Sequence, residues 1–262
     1  MNKRKTILVL ILLAVGIGIL CYPAFSNFIN QLNGSLAIQQ LQENMESEDV
    51  AKQRARAEAY NRKVRTAPDE LSEAEYEGIL NIANGMMGYL QIPAISVTLP
   101  IYHGVSEEVL RQGVGHLPQS AFPIGGAGNH AVLTGHTGLP SAELFTDLTQ
   151  LREGERFYVT ILGETLVYEI DQIKVVLPDE GEDLAPVAGM DYCTLVTCTP
   201  YGVNSQRLLV RGHRVEAEQE EILLPLENPA NAPTGWPVIW LLLTPVPVLV
   251  ILIGLIMRKK RK

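Results

Sequence analysis

The chain has 262 residues, 47% of them hydrophobic, with 21 basic against 29 acidic side chains and a formal charge of −8. That length allows one well-buried domain plus flanking elements. Residues 1–5 and 258–262 hold 8 of the basic residues and none of the acidic ones, so the middle carries 13 basic against 29 acidic, a formal −16, which argues against nucleic acid as a partner.

Residues 6–22 are almost wholly apolar, follow the basic tail of residues 1–5, and are long enough to cross a hydrocarbon core of ~30 Å. Retention as a transmembrane or signal anchor is the reading adopted, with a cleaved signal peptide as the alternative. Pro23 and the lack of a clear Ala-x-Ala site count against cleavage. Leu20 is too bulky for a lipoprotein pattern at Cys21, which reads as a passive membrane cysteine. Residues 236–257 form a second apolar run, with Pro237, Pro245 and Pro247, which a transmembrane helix tolerates. The basic tails outside both runs predict cytoplasmic termini and an extracellular middle at the cell membrane.

Residues 23–87 form an N-terminal region. Within it, 31–64 is polar and rich in Gln, Glu and Ala, reading as one or two exposed helices with Leu36, Leu41 and Tyr60 as apolar anchors. Residues 66–84 are acidic and irregular, with a short helix expected over 72–82 and a capping box at Ser72 and Glu75. From residue 88 to 215 the pattern changes to short apolar runs punctuated by Gly and Pro. Strands are predicted at 88–92, 98–102, 131–135, 156–161, 164–175, 192–197 and 206–215, with helical turns at 107–111 and 142–148. Such a series suggests an all-β barrel or sandwich. Residues 216–235 read as a linker back to the membrane, and 258–262 as a basic cytoplasmic tail.

Only Cys193 and Cys198 lie in the extracellular part, five positions apart in one extended run. At ~3.3 Å per residue they stand too far apart for a disulfide. An unpaired thiol kept in an oxidising exterior argues for use. The odd separation points the two side chains to opposite faces, which leaves Cys193 as a small core residue.

Attack by cysteine needs a thiolate, a proton donor for the leaving amine and a stabiliser for the oxyanion. With ordinary pKa values of about 8.5 and about 6.5, independent ionisation leaves a Cys and a His both charged in roughly 1% of molecules at neutral pH. Proximity favours the ion pair. Five histidines compete: His103, His116, His130, His136 and His213. His136 ends an apolar run between Gly135 and Gly138, whereas His116 and His130 read as loop residues and His103 follows a strand end. His213 lies ~20 Å from the level of Cys198 along its strand. Thr199-Pro200-Tyr201-Gly202 is a turn signal, so the strands on either side should pair and bring Arg207 beside Cys198. Arg211 shares that face but lies ~13 Å farther down. Arg207 then offers a guanidinium fork to an oxyanion. No metal-ligand spacing is present, and Gly125-Gly126-Ala127-Gly128 has no following Lys-Ser/Thr, so no metal or cofactor is expected.

Thr194-Leu195-Val196-Thr197-Cys198 fits the TLxTC signature of the sortases, membrane-anchored cysteine transpeptidases of Gram-positive bacteria. The continuation from Thr199 to Arg214, and the segments Leu99-Pro100-Ile101-Tyr102-His103-Gly104 and Leu133-Thr134-Gly135-His136-Thr137-Gly138-Leu139-Pro140, resemble the pilus-assembling class C group. The resemblance implies an eight-stranded β-barrel over 88–215. It implies Cys198 as nucleophile, His136 as acid/base, Arg207 as oxyanion or substrate stabiliser, and Thr197 as an aid to substrate orientation. Its implied partners are a pilin or surface protein bearing an LPxTG-like motif and a lysine amine of a second pilin. Class C enzymes usually carry an Asp-Pro-aromatic lid, but here the stretch reads Thr66-Ala67-Pro68-Asp69-Glu70, leaving Asp69 as the one lid candidate. The same residues leave open a hydrolytic cysteine peptidase and a housekeeping sortase acting on a cell-wall precursor. A membrane-tethered β module that only binds is the non-enzymatic alternative.

Overall fold

The structure is a computed structural model that describes residues 3–45, 49–83 and 85–216. The second apolar run, and the linker beyond residue 216, lie outside the described residues. α1 (Lys3–Met45) is one continuous helix with Pro23 inside it, where the sequence predicts a membrane segment ending at residue 22 and separate polar helices beyond. A proline frees a backbone carbonyl without ending a helix when the surroundings re-satisfy it. By length and composition α1 can cross a membrane, and Leu12, Ile19 and Leu20 stand exposed on it. It is thus suited to anchoring.

The helix up to Leu32 belongs to one compact unit and the body from Asn33 to another. In the body, Ile38 and Leu41 at the end of α1 pack on Met86, with Met45 and Tyr102 beside them. α2 (Val50–Thr66) starts at Asp49, whose side chain accepts from the Lys52 N–H at 3.0 Å. It buries Ala57, Tyr60, Asn61 and Val64, the i, i+3, i+4, i+7 stripe of an amphipathic helix. Asn61 binds Phe122 in both directions: its amide donates to the Phe122 carbonyl at 3.0 Å, and the Phe122 N–H donates to Oδ1 at 2.7 Å. α3 (Glu73–Glu77) follows the expected cap, with Ser72 Oγ accepting from the Glu75 N–H.

The strands close into the eight-stranded barrel expected from the sequence. They are β1 (Met86–Ile92), β2 (Val97–His103), β3 (Val114–His116), β4 (Asn129–Thr134), β5 (Arg156–Ile161), β6 (Glu164–Val176), β7 (Asp191–Thr199) and β8 (Gln206–Val215). The order around the barrel is β1-β2-β3-β4-β7-β8-β6-β5. A short helix α4 (Glu107–Gln112) leads into β3. β4 and β7 run parallel, with Leu133 opposite Leu195, and Leu195 stands opposite Val210 on antiparallel β8. All three are fully buried and fill the interior. Because side chains alternate along a strand, Val132, Val196 and Leu209 lie on the other face, where they cluster with Val176 beneath Leu117 and Leu184.

β3 was not predicted, and the expectation that His116 and His130 sit in loops is corrected: they lie on β3 and β4 and are buried. His116 Nε2 meets the Ala121 carbonyl at 2.9 Å, its Nδ1 lies 3.1 Å from the Tyr76 hydroxyl, and Tyr76, Phe122 and His116 form a stack. This stack fastens α3 to the barrel. Burial pushes the His116 pKa down from its ordinary value to about 4, because a charged imidazole loses its hydration there.

The unfolded chain therefore takes up a proton at His116 that the folded chain refuses. The associated stability is complete above the ordinary histidine pKa and is lost as pH falls toward the folded value. It amounts to about 3 kcal/mol for this site. His130, lowered by burial as well, acts in the same direction. Urea midpoints measured at neutral pH and near pH 4.5 should fall steeply for the native chain and less steeply for His116→Gln.

Candidate active site

The reacting constellation grows out of strand register. Cys198 on β7 stands directly opposite Arg207 on β8, as the turn after Thr199 predicts. β4 follows β7 in parallel to Thr134 opposite Val196, and the Gly135 N–H still donates to the Val196 carbonyl at 3.0 Å. His136 stands two residues past the end of β4, at the same end of the barrel as Cys198. The parity is the same for all three: His136 follows Val132 and Thr134, Cys198 follows Thr194 and Val196, and Arg207 precedes Leu209. Cys198 and Arg207 therefore fall on the outer face at one end of the barrel, both half-buried, and His136 follows the end of β4 at that same end.

The backbone under His136 is held on both sides. The Phe145 N–H donates to the His136 carbonyl at 3.0 Å, and the Thr197 hydroxyl donates to the Gly135 carbonyl at 2.7 Å. Gly135 is needed here because a Cβ would come within 2.7 Å of the Phe145 ring. Gly138, at φ +73°, lies under the exposed ring of Tyr201, 3.1 Å from where its Cβ would be, so the loops after His136 and after Cys198 touch.

Thr197 does not join the reacting face as expected. It is 2% exposed and points the opposite way from Cys198, so its hydroxyl supports the His136 backbone instead. Asp69 stands exposed on the single turn Pro68–Glu70. Among the described residues no hydrogen bond or ion pair links it to Cys198, His136 or Arg207.

The rival histidines are occupied elsewhere. His103 has a carbonyl against each ring nitrogen, Gly85 at 2.8 Å and Ile79 at 2.6 Å. His130 lies between the Thr194 hydroxyl at 2.7 Å and the Ala185 carbonyl at 3.1 Å. His213 lies opposite Tyr192, down the strand from Arg207. The two arginines differ as sharply. Arg211 is paired to both oxygens of Asp171, at 2.9 and 3.1 Å, and lies over the Tyr192 ring. Among the described residues Arg207 donates through Nη1, to the Asn204 and Gln206 carbonyls, which leaves the rest of its fork for another acceptor. Burial pushes the Cys193 thiol well up, which makes it a poor nucleophile.

One neighbour of the site escaped the sequence. Glu107, at the start of α4, places Oε2 3.1 Å from His136 Nε2. The pairing joins residues 29 apart across two strands, β3 and β4, and no local motif announces it. Among the described residues no group of three or more His, Cys, Asp or Glu is arranged to hold a metal.

A profile of the sortase domain matches residues 90–215. The fold superposes on sortase C1 from Streptococcus agalactiae with a TM-score of 0.66 at 46% identity, covering 70% of this chain and 99% of that one. Sortase C-1 from Actinomyces oris gives a TM-score of 0.61 at 46% identity, covering 64% and 98%. The chain is also 28% identical over 152 residues to a sortase A of Bacillus anthracis, covering 56% of this chain and 70% of that protein. The chain belongs to the sortase family. It is thereby a cysteine transpeptidase by family, and its solved neighbours include class C sortases.

If Arg207 is the oxyanion donor that the resemblance implies, its loss and the loss of the Arg211–Asp171 ion pair should separate cleanly in this sortase. Arg207→Ala should lower kcat by about 10²–10³-fold, the usual cost of one oxyanion donor, with the urea midpoint nearly unchanged. Arg211→Ala should leave the kcat of folded molecules close to native but cost about 1–3 kcal/mol of stability, because Asp171 then loses a partly buried partner. Paired kinetic and urea titrations of both variants check this, and a larger kcat loss in Arg211→Ala would show the assignment reversed.

Proposed function

We propose that this sortase cleaves an LPxTG-like sorting motif between Thr and Gly and joins the released acyl group to a lysine amine of a pilin subunit. The observation that carries the reading is the in-register Cys198–Arg207 pair, with His136 just past parallel β4 at the same end of the barrel. The Cys198 thiolate attacks the Thr carbonyl carbon, and its oxygen gathers negative charge facing the Arg207 fork. As the C–N bond breaks, the proton first taken from Cys198 passes from His136 to the leaving Gly nitrogen. A thioester and a free amine result. The acceptor amine then attacks the thioester, loses a proton to His136, and expels the Cys198 thiolate, leaving an isopeptide bond.

The likeness to class C enzymes supports pilin as the substrate class. The apolar α1 and the basic tails of the sequence support a protein of the cell membrane, with the barrel outside and both termini in the cytoplasm. In this reading residues 88–215 form the catalytic domain, and 236–257 a second membrane segment. Asp69 is the remaining lid candidate.

Incubating the detergent-solubilised full chain with an LPxTG peptide and a lysine-bearing acceptor, and following intact mass, tests the proposal. A thioester adduct on the native chain, absent in Cys198→Ala and converted by the amine to a cross-linked peptide, is the expected result. An adduct resolved only by water would instead identify a hydrolytic peptidase.

A further inference from the structure

A neutral imidazole carries its proton on one ring nitrogen, and the partner of the other nitrogen decides which one is free for chemistry. In His136 the partnered nitrogen is Nε2, 3.1 Å from Glu107 Oε2. Glu107 is itself fixed. It opens α4, whose Ser106 cap accepts from the Val109 N–H, and its second oxygen, Oε1, accepts from Arg111 Nε at 2.9 Å. The Arg111 hydrogen bond, followed by the attraction of His136, holds the Glu107 carboxyl below the usual carboxylate range. An ionised carboxylate only accepts hydrogen bonds, so the Nε2 facing it must carry the hydrogen.

The Glu107 side chain is 59% exposed, and an ion pair that open adds little to stability. Orientation is a different matter. The His136 side chain is 23% exposed, and its backbone is pinned through Phe145 and Thr197. Rotation about its own side-chain bonds is the freedom that remains, and Glu107 removes it. The charged group against the ring is Glu107, itself paired with Arg111 on α4, while Cys198 on β7 and Arg207 on β8 lie at the same end of the barrel.

The geometry points to Glu107 as a positioning residue that holds His136 with Nε2–H outward and leaves Nδ1 as the nitrogen that takes the proton from Cys198 and returns it to the leaving amine. This rests on the transpeptidase reading, in which His136 is the acid/base, and adds to it the identity of the working nitrogen.

The test uses the full chain in detergent micelles, with Glu107→Ala and the conservative Glu107→Asp. Both changes are at an exposed side chain, so the fold is not at risk. Long-range 1H–15N correlations of the histidine rings, assigned by comparison with His136→Ala, report which nitrogen of His136 is protonated. The native chain should show hydrogen on Nε2, and Glu107→Ala a mixture of tautomers. Alongside, kcat should fall about 10–100-fold, the scale of a misaligned acid/base, with KM within about twofold and most of the rate restored by Glu107→Asp. Native kcat in Glu107→Ala, or a rate loss with the His136 ring signals unchanged, would overturn the assignment. His136→Ala in the same assay keeps the two readings apart, because full turnover there would remove His136 from the chemistry whatever Glu107 does.

Discussion

The hydrogen-bond ladder across β4, β7 and β8 is the constraint on which the site depends. The backbone beneath its side chains is set by register: Thr134 against Val196 in the parallel pair and Cys198 against Arg207 in the antiparallel one. A slip of one residue in either pairing would turn one reacting group to the opposite face. The register is held by what lies below the site. Leu133, Leu195 and Val210 are buried on the inner face, and Val132, Val196 and Leu209 are buried on the outer one. With apolar side chains covered on both faces, the register rests on how each side chain fits its neighbours, since a slip would misplace every one of them.

The same strands show why burial of polar groups here costs little. His116, His130, Thr194, Thr197 and Asn61 are all buried, and no buried side-chain nitrogen or oxygen among the described residues lacks a hydrogen-bond partner. Each makes a directed bond between elements far apart in sequence: Asn61 ties α2 to Phe122, His116 ties β3 to Tyr76 of α3, and Thr197 ties β7 to the backbone before His136. Apolar packing alone would hold these elements together, but would fix their angles less well than bonds that fail when misdirected.

Much of this was legible in the sequence, and the exceptions share a cause. β5 and β8 have the predicted bounds, because each is an apolar run between clear turn signals. The Cys198–Arg207 pairing followed from one turn and a count of residues. β3, at three residues, is too short to show a period of two, and its Gly-rich flanks disguise it as loop, which is why His116 was misplaced. His130 was misplaced because the glycines before it hide the start of β4. Leu41 and Tyr60 were recognised as anchors, but Ile38 and Asn61 gain their importance from partners on the barrel. The motif gives Thr197 adjacency to Cys198, whereas the pleat turns its side chain inward onto the Gly135 carbonyl. Glu107 meets His136 through tertiary structure alone.

The two cysteines of β7 make the argument in its smallest form. They are five residues apart on one strand, with the same intrinsic chemistry, and the pleat sends them to opposite faces. Cys193 stands opposite Gly212 and is fully buried, where the thiolate would lose its hydration and gain no cation, so burial drives its pKa up. Cys198 stands opposite an arginine, half in contact with solvent, where a negative charge would keep hydration and face a guanidinium. Residue type does not separate the two thiols. What separates them is an odd number of steps along a strand whose register is fixed by its neighbours, and reactivity in this barrel is therefore a consequence of its packing.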